Sequence, residues 1–110
     1  MPAPGRSSGT LRLQAPEKAK TVNLIGRHVV HLSIHNLAFG PARIKVSLHT
    51  LIVWTNNDSF QHTVTSDTGV WDSGNVDPSA NYNRSFNKTG TFKYHCTIHP
   101  FMLGSVTVVK

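Results

Sequence analysis

The sequence contains one cysteine, two methionines and five acidic residues among 110, and these scarcities exclude several classes of protein. A single cysteine cannot form an intrachain disulfide, which excludes a disulfide-stapled scaffold. Apolar runs such as residues 51–54 are too short to span a membrane. Residues 1–20 lack the continuous apolar stretch of a secretion signal. A chain of this length can still bury a core of its own, so we expect one small domain.

The shortage of acidic residues leaves a net charge of +6, with eleven Lys and Arg against five Asp and Glu. Such a balance suits nucleic acid, an anionic membrane or an acidic protein partner. The basic residues are scattered rather than clustered, as in Arg27, Arg43, Lys45, Arg84, Lys88 and Lys93. No stacked-aromatic motif of the RNA-binding type accompanies them. We therefore expect a solvated basic surface and no nucleic acid.

The chain divides into a short leading segment and a strand-rich remainder. Residues 1–19 are rich in Pro, Gly, Ser and Ala, which predicts a flexible N-terminal tail or linker before a domain at 20–110. No amphipathic helix of 12 residues is evident. Short alternating or β-branched runs separated by turn signals predict strands at 28–34, 43–48, 50–56, 81–87, 91–96 and 105–110. This pattern predicts an all-β fold, an antiparallel sandwich or barrel.

The cysteine lies in an unusual concentration of soft ligands. In "CTIHPFM", Cys96, His99 and Met102 follow one another at intervals of three residues, where a predicted strand gives way to a loop. Side chains at this spacing on a tight loop can converge on one point, and Pro100 stiffens the loop by fixing its own φ. Thiolate, imidazole and thioether together indicate copper, because zinc does not usually take methionine.

A copper site of this kind needs a second histidine from elsewhere in the chain. The candidates are His28, His31, His35, His49, His62 and His95. His62 is favoured because it follows a predicted strand and turn, whose loop can meet the Cys96 loop at one end of a sandwich. His95 is disfavoured because neighbouring side chains of a strand point to opposite faces.

Two segments resemble the cupredoxin family of type 1 blue copper proteins: "WTNNDSFQHTVTS", which begins at Trp54, and "GTFKYHCTIHPFM", which begins at Gly90. The short Cys-x2-His-x2-Met loop is similar to that of amicyanin more than to the longer loop of plastocyanin. The resemblance implies a Greek-key β-sandwich of about eight strands. It also implies one Cu(I)/Cu(II) ion, held by His62, Cys96 and His99 with Met102 as the weak axial ligand.

The resemblance further implies an electron carrier rather than an enzyme. From the net charge of +6 we expect redox partners with an acidic docking face, and we expect Pro100 and Phe101 to form an apolar patch where they dock. The protein would be a monomer in the periplasm or outside the cell, with any signal or anchor removed and tethering through the tail possible. Thr63 stands where plastocyanin and amicyanin carry Asn, the residue that ties the two ligand loops. The hydroxyl or backbone of Thr63 would have to make that connection.

Two other functions stay open at this point. A copper carrier or storage protein would hold the metal in exposed ligands, which are often rich in methionine, and this chain has two methionines. A cupredoxin domain of a larger copper oxidoreductase would need further histidines, and the sequence has no His-x-His pair. A binuclear copper centre would need two cysteines.

Overall fold

The computed structural model describes residues 19–110. The predicted tail, residues 1–19, lies almost wholly outside this range. Nine strands form within the described range: β1 (Val22–Asn23), β2 (Val29–His35), β3 (Ala38–Gly40), β4 (Arg43–Ser47), β5 (Leu51–Asn56), β6 (Thr65–Ser66), β7 (Asn81–Ser85), β8 (Gly90–His95) and β9 (Leu103–Val109). Within residues 19–110, no helix has the length and apolar character needed to cross a membrane.

The strands form two sheets, which confirms the predicted all-β sandwich. One sheet has the order β1-β4-β9-β8-β6, and the other has the order β3-β2-β5-β7. The expectation of purely antiparallel pairing is wrong. β9 pairs with β4, β1 with β4, and β2 with β5 in parallel, while the remaining pairs are antiparallel. Side-chain alternation has the same period in both kinds of pairing, so the sequence pattern could not distinguish them.

Alternation along the strands builds the core between the sheets. In β5, Ile52, Trp54 and Asn56 are buried and their neighbours are partly exposed. In β4 the same is true of Ile44 and Val46. Full burial of one such apolar side chain contributes about 1.5–3 kcal/mol. The buried apolar cluster comprises Val30, Leu32, Ile34, Phe39, Ile44, Val46, Ile52, Trp54, Val64, Trp71, Phe86, Tyr94, Cys96, Met102, Val106 and Val108.

Tyr94 fixes the part of the core that lies beneath the ligand loop. Its ring packs edge-on against Phe39 and Trp54, and its hydroxyl accepts a hydrogen bond from Trp54 Nε1 at 3.1 Å. Burial raises the pKa of Tyr94 well above its ordinary value, so the phenol is neutral. Gly104 pairs with Tyr94 across the hairpin, and a Cβ at Gly104 would collide with the Tyr94 ring. The ends of β8 and β9 are thereby packed tightly together.

Candidate metal centre

The β8–β9 hairpin presents three of the predicted ligands in one closed loop. Cys96 follows the last residue of β8, and Met102 precedes the first residue of β9. The Cys96 amide donates to the Met102 carbonyl at 3.1 Å, and the Met102 amide donates to the His99 carbonyl at 2.9 Å. These two bonds close the loop at its base, so Cys96, His99 and Met102 are held by the hairpin itself.

The second segment carries His62 beyond the end of β5. Asn56, the last residue of β5, is fully buried, and its side-chain amide donates to the carbonyls of Phe60 and Val76 at 2.7 and 2.9 Å. His62 and Val76 exchange two backbone hydrogen bonds. The segment therefore folds back on itself and delivers His62 to the end of the sandwich where the hairpin loop lies.

The two segments bring three donor atoms together. His62 Nδ1 lies 3.6 Å from Cys96 Sγ, His99 Nδ1 lies 3.8 Å from Cys96 Sγ, and the two imidazole nitrogens are 3.2 Å apart. These side chains form a group able to hold a metal ion. A trigonal ion about 2.0–2.1 Å from each nitrogen and about 2.3 Å from the sulfur would separate its donors by roughly 3.5–3.8 Å. The donor set therefore fits one small metal ion.

Burial differs among the members of this group. His62, Cys96 and Met102 have no exposed surface, whereas His99 is partly exposed. The His99 ring lies between Phe60 and Phe101, with ring centroids 6.2 and 6.1 Å away. Both phenylalanines are about half exposed. The candidate ligands are thus closed to solvent except at His99.

Thr63 ties the two segments together. Its hydroxyl oxygen accepts a hydrogen bond from the Thr97 amide at 2.8 Å and lies 3.1 Å from the Thr97 hydroxyl. Its own amide donates to Cys96 Sγ at 3.3 Å. The connection that the family resemblance requires is therefore made twice, through the hydroxyl and through the backbone of Thr63.

Asp58 is part of the site, although the sequence indicated only a turn at Asn56-Asn57-Asp58. Its Oδ2 lies 2.8 Å from His62 Nε2, on the side of the ring away from the donor group. Burial by itself would raise the pKa of Asp58, but hydrogen bonds from the Leu37 and Asn36 amides and from His62 outweigh it and hold the pKa below its usual value. The only feature of the sequence that could have indicated this contact is the spacing of four residues between Asp58 and His62.

The other histidines lie outside this group. His95 hydrogen-bonds through Nδ1 to Asp67 at 2.6 Å, in agreement with its expected orientation away from Cys96. The remaining four are exposed: His28, His31, His35 and His49.

The family model for copper-binding proteins of the plastocyanin/azurin family matches residues 26–109. The chain belongs to this family. Amicyanin-alpha of Methylorubrum extorquens is 29% identical over 82 residues, which cover 70% of this chain and 69% of that protein.

Solved structures agree with this placement in the copper-binding family. The copper(I) form of an amicyanin variant superposes with a TM-score of 0.71 at 25% identity, over 78% of this chain and 87% of that one. A copper-containing nitrite reductase of Thermus scotoductus SA-01 gives a TM-score of 0.74 at 19% identity, over 82% of this chain and 28% of that one. The second likeness shows the fold alone. The predicted cupredoxin fold and the predicted copper cofactor are confirmed.

Proposed function

We propose that residues 20–110 hold one copper ion between His62, Cys96, His99 and Met102, and that the protein carries single electrons between redox partners. The observation that carries this proposal is the convergence of His62 Nδ1, Cys96 Sγ and His99 Nδ1 within 4.8 Å in a largely buried site. Met102 joins them because its backbone is hydrogen-bonded to both Cys96 and His99 and its side chain is fully buried.

Copper in such a site supplies a one-electron couple, and the protein supplies a fixed, dry set of ligands. The hairpin holds Cys96 and Met102 at the two ends of one hydrogen-bonded loop. Thr63 joins that loop to the His62 segment, so the spacing between the segments is set by the fold. A site that is preorganised in this way needs little rearrangement when an electron arrives or leaves.

Electrons would enter and leave at the edge of His99. This ring reaches the surface among exposed apolar side chains, namely Phe60, Ile98 and Phe101, beside Pro100. Residues 96–104 contain no charged side chain. A contiguous apolar surface of this kind marks a docking site, and it allows a partner to approach without stripping water from charges.

The partner in this proposal is a redox protein with an acidic face, because the net charge of +6 attracts such a protein at long range. The apolar contact itself would form after that encounter. The protein would act as a monomer in the periplasm or outside the cell, as the resemblance to amicyanin implies. Association rates should fall as ionic strength rises, since salt screens the attraction over about 10 Å at 0.1 M.

Burial of the ligands favours electron transfer over the alternatives. A protein that hands over copper needs ligands that a recipient can reach, whereas His62, Cys96 and Met102 are fully buried. A cupredoxin domain of an oxidoreductase needs further histidines for a second copper, and within residues 19–110 the other histidines do not join the donor group. We therefore propose no catalytic residue in this chain.

Metal analysis and a visible spectrum test the proposal. The expected result is one copper per chain and an intense blue colour in the Cu(II) form, from charge transfer with the Cys96 thiolate. Cys96→Ala should abolish the colour. His95→Ala is the matched control, because His95 is adjacent in sequence but bonds to Asp67 instead, and it should leave the spectrum unchanged. A colourless Cu(II) protein, or two tightly bound coppers, would contradict the proposal.

A further inference from the structure

The carboxylate of Asp58 is enclosed by hydrogen-bond donors. Its side chain is 7% exposed. Oδ1 accepts a hydrogen bond from the Asn36 amide at 2.7 Å, and Oδ2 accepts from the Leu37 amide at 3.0 Å and from His62 Nε2 at 2.8 Å. His35 Nδ1 lies 3.7 Å from Oδ1, on a side chain that is 61% exposed. Three short hydrogen bonds to a buried carboxylate favour its ionised form.

The two amides come from a turn that the carboxylate stabilises. Asn36 and Leu37 connect β2 to β3 in a two-residue turn, and both have positive φ, 52° and 58°. Leucine rarely adopts this conformation, since its Cβ crowds the backbone. Asp58 binds both amides of the turn and also binds His62, so one carboxylate links the β2–β3 hairpin to the metal centre.

The contact with His62 decides which ring nitrogen is protonated. A carboxylate accepts hydrogen bonds and cannot donate them when ionised, so Nε2 of His62 must carry a proton. In the neutral ring Nδ1 then keeps its lone pair, and it is this nitrogen that faces Cys96 Sγ and His99 Nδ1. His99 has a different environment, with its ring between two exposed aromatic side chains.

We propose that Asp58 is a positioning residue for the copper centre, which fixes the tautomer and orientation of His62 and favours Cu(II) over Cu(I). This inference rests on the proposed function, because it assumes that His62 is a copper ligand. An anionic partner makes an imidazole a stronger donor, and such outer partners typically change metal affinity about 10–100-fold. The negative charge also stabilises the ion of higher charge more strongly.

Three variants test the role of the charge. Asp58→Asn keeps the shape and removes the charge, and Asp58→Glu keeps the charge on a longer side chain. Asp77→Asn is the matched control, because it removes the same charge from an exposed carboxylate. Asp77 accepts a hydrogen bond at 2.6 Å from Nε2 of Gln61, the residue that precedes His62 in the sequence. Cu(II) affinity, Cu(I) affinity and the reduction potential are measured for each variant.

Asp58→Asn should lower Cu(II) affinity at least tenfold more than Cu(I) affinity. This difference corresponds to a rise in reduction potential of about 59 mV for each factor of ten. Asp58→Glu should recover part of this change, and Asp77→Asn should alter the ratio of affinities less than threefold. Equal shifts in Asp58→Asn and Asp77→Asn, or a loss of stability in Asp58→Asn with no change in potential, would overturn the proposal.

The tautomer can be measured without copper and without any variant. Long-range proton–nitrogen NMR of the metal-free full chain should show His62 protonated at Nε2 and unprotonated at Nδ1. Protonation at Nδ1 alone would overturn the proposal even if Asp58→Asn failed to fold. Failure of the wild-type protein to form a blue copper centre would instead refute the proposed function, and the NMR result would still decide the contact between Asp58 and His62.

Discussion

His62 and His99 present the same donor atom, Nδ1, to the candidate site from opposite environments. Their Nδ1 atoms are 3.2 Å apart. His62 has no exposed surface and is held at its far nitrogen by Asp58, at 2.8 Å. His99 is partly exposed and packs against rings that are themselves at the surface. One histidine is thus anchored in the fold, and the other connects the site to solvent.

The difference follows from the segments that carry the two residues. The His62 segment is bonded to three parts of the chain, through Asn56 to Val76, through Asp58 to the turn at Asn36, and through Thr63 to the hairpin. The hairpin loop is closed mainly at its base, between Cys96 and Met102. The comparison therefore teaches that His62 is held by long-range contacts, whereas His99 is held mainly by a local loop.

Removing each histidine in turn gives the largest expected effect. His62→Gly and His99→Gly should both lower copper affinity by roughly a thousandfold or more, beyond the ~10–100-fold typical of an outer partner. Added imidazole should restore the blue colour of His99→Gly at a concentration at least tenfold lower than it does for His62→Gly. The reason is that the cavity left by His99 opens to solvent, whereas that left by His62 requires local opening of the fold.

Absorbance during imidazole titration measures the rescue, and His95→Gly, which removes a histidine outside the donor group, is the control that should need no rescue. Equal rescue of both ligand variants would remove the distinction between an anchored and an exposed histidine.

A change at the base of the hairpin should reduce stability rather than alter the site directly. Gly104→Ala places a Cβ against the buried ring of Tyr94. Such overpacking typically costs about 1–3 kcal/mol, and we expect the upper part of that range for the free energy of unfolding. Gly40→Ala is the control, because its added Cβ makes only an ordinary contact with the Ser33 carbonyl oxygen, at 3.9 Å. Urea denaturation of the metal-free forms compares the two, and similar losses would show that the hairpin base is not tightly packed.

Loss of the hydrogen bond between Thr63 and Thr97, which joins the two segments, should lower the free energy of unfolding by an intermediate amount. Thr63→Val keeps the shape of the side chain and removes the oxygen that accepts from the Thr97 amide. A buried amide left without a partner costs about 1–3 kcal/mol, and because this hydrogen bond is only partly buried we expect a loss near the lower end of that range. Thr63→Ser retains the hydroxyl and should lose less than half as much stability in the same urea experiment. Equal losses in both variants would mean that the methyl group of Thr63, and not its hydrogen bond, joins the segments.

The sequence predicted the ligands on the hairpin loop better than the segment that anchors His62. Cys96, His99 and Met102 lie within seven residues, so their spacing alone indicated a site. Asp58 resembled an ordinary turn residue, because its role depends on amides more than 20 positions away in the chain. The buried role of Asn56 escaped notice for the same reason. The parallel strand pairs were also missed, since side-chain alternation does not report strand direction.

The smallest of the expected effects concerns Phe101, which lies beside the exposed His99, where a partner would dock. Phe101→Ala removes a ring that is 46% exposed and packs 6.1 Å from His99. Electron self-exchange between the oxidised and reduced forms, followed by NMR line broadening at high salt, reports docking of this surface without an unidentified partner. High salt is needed because two copies of charge +6 repel each other. An exposed apolar side chain in a docking surface contributes about 1 kcal/mol, so the rate should fall roughly five- to tenfold.

Val70→Ala, at a side chain equally exposed (47%) but not in contact with His99, should change the rate less than twofold. The reduction potential of Phe101→Ala should stay close to that of the wild type, since the ring is not a ligand. An unchanged self-exchange rate would mean that electrons do not leave through the apolar edge of His99, and the exposed histidine would then lose its assigned role.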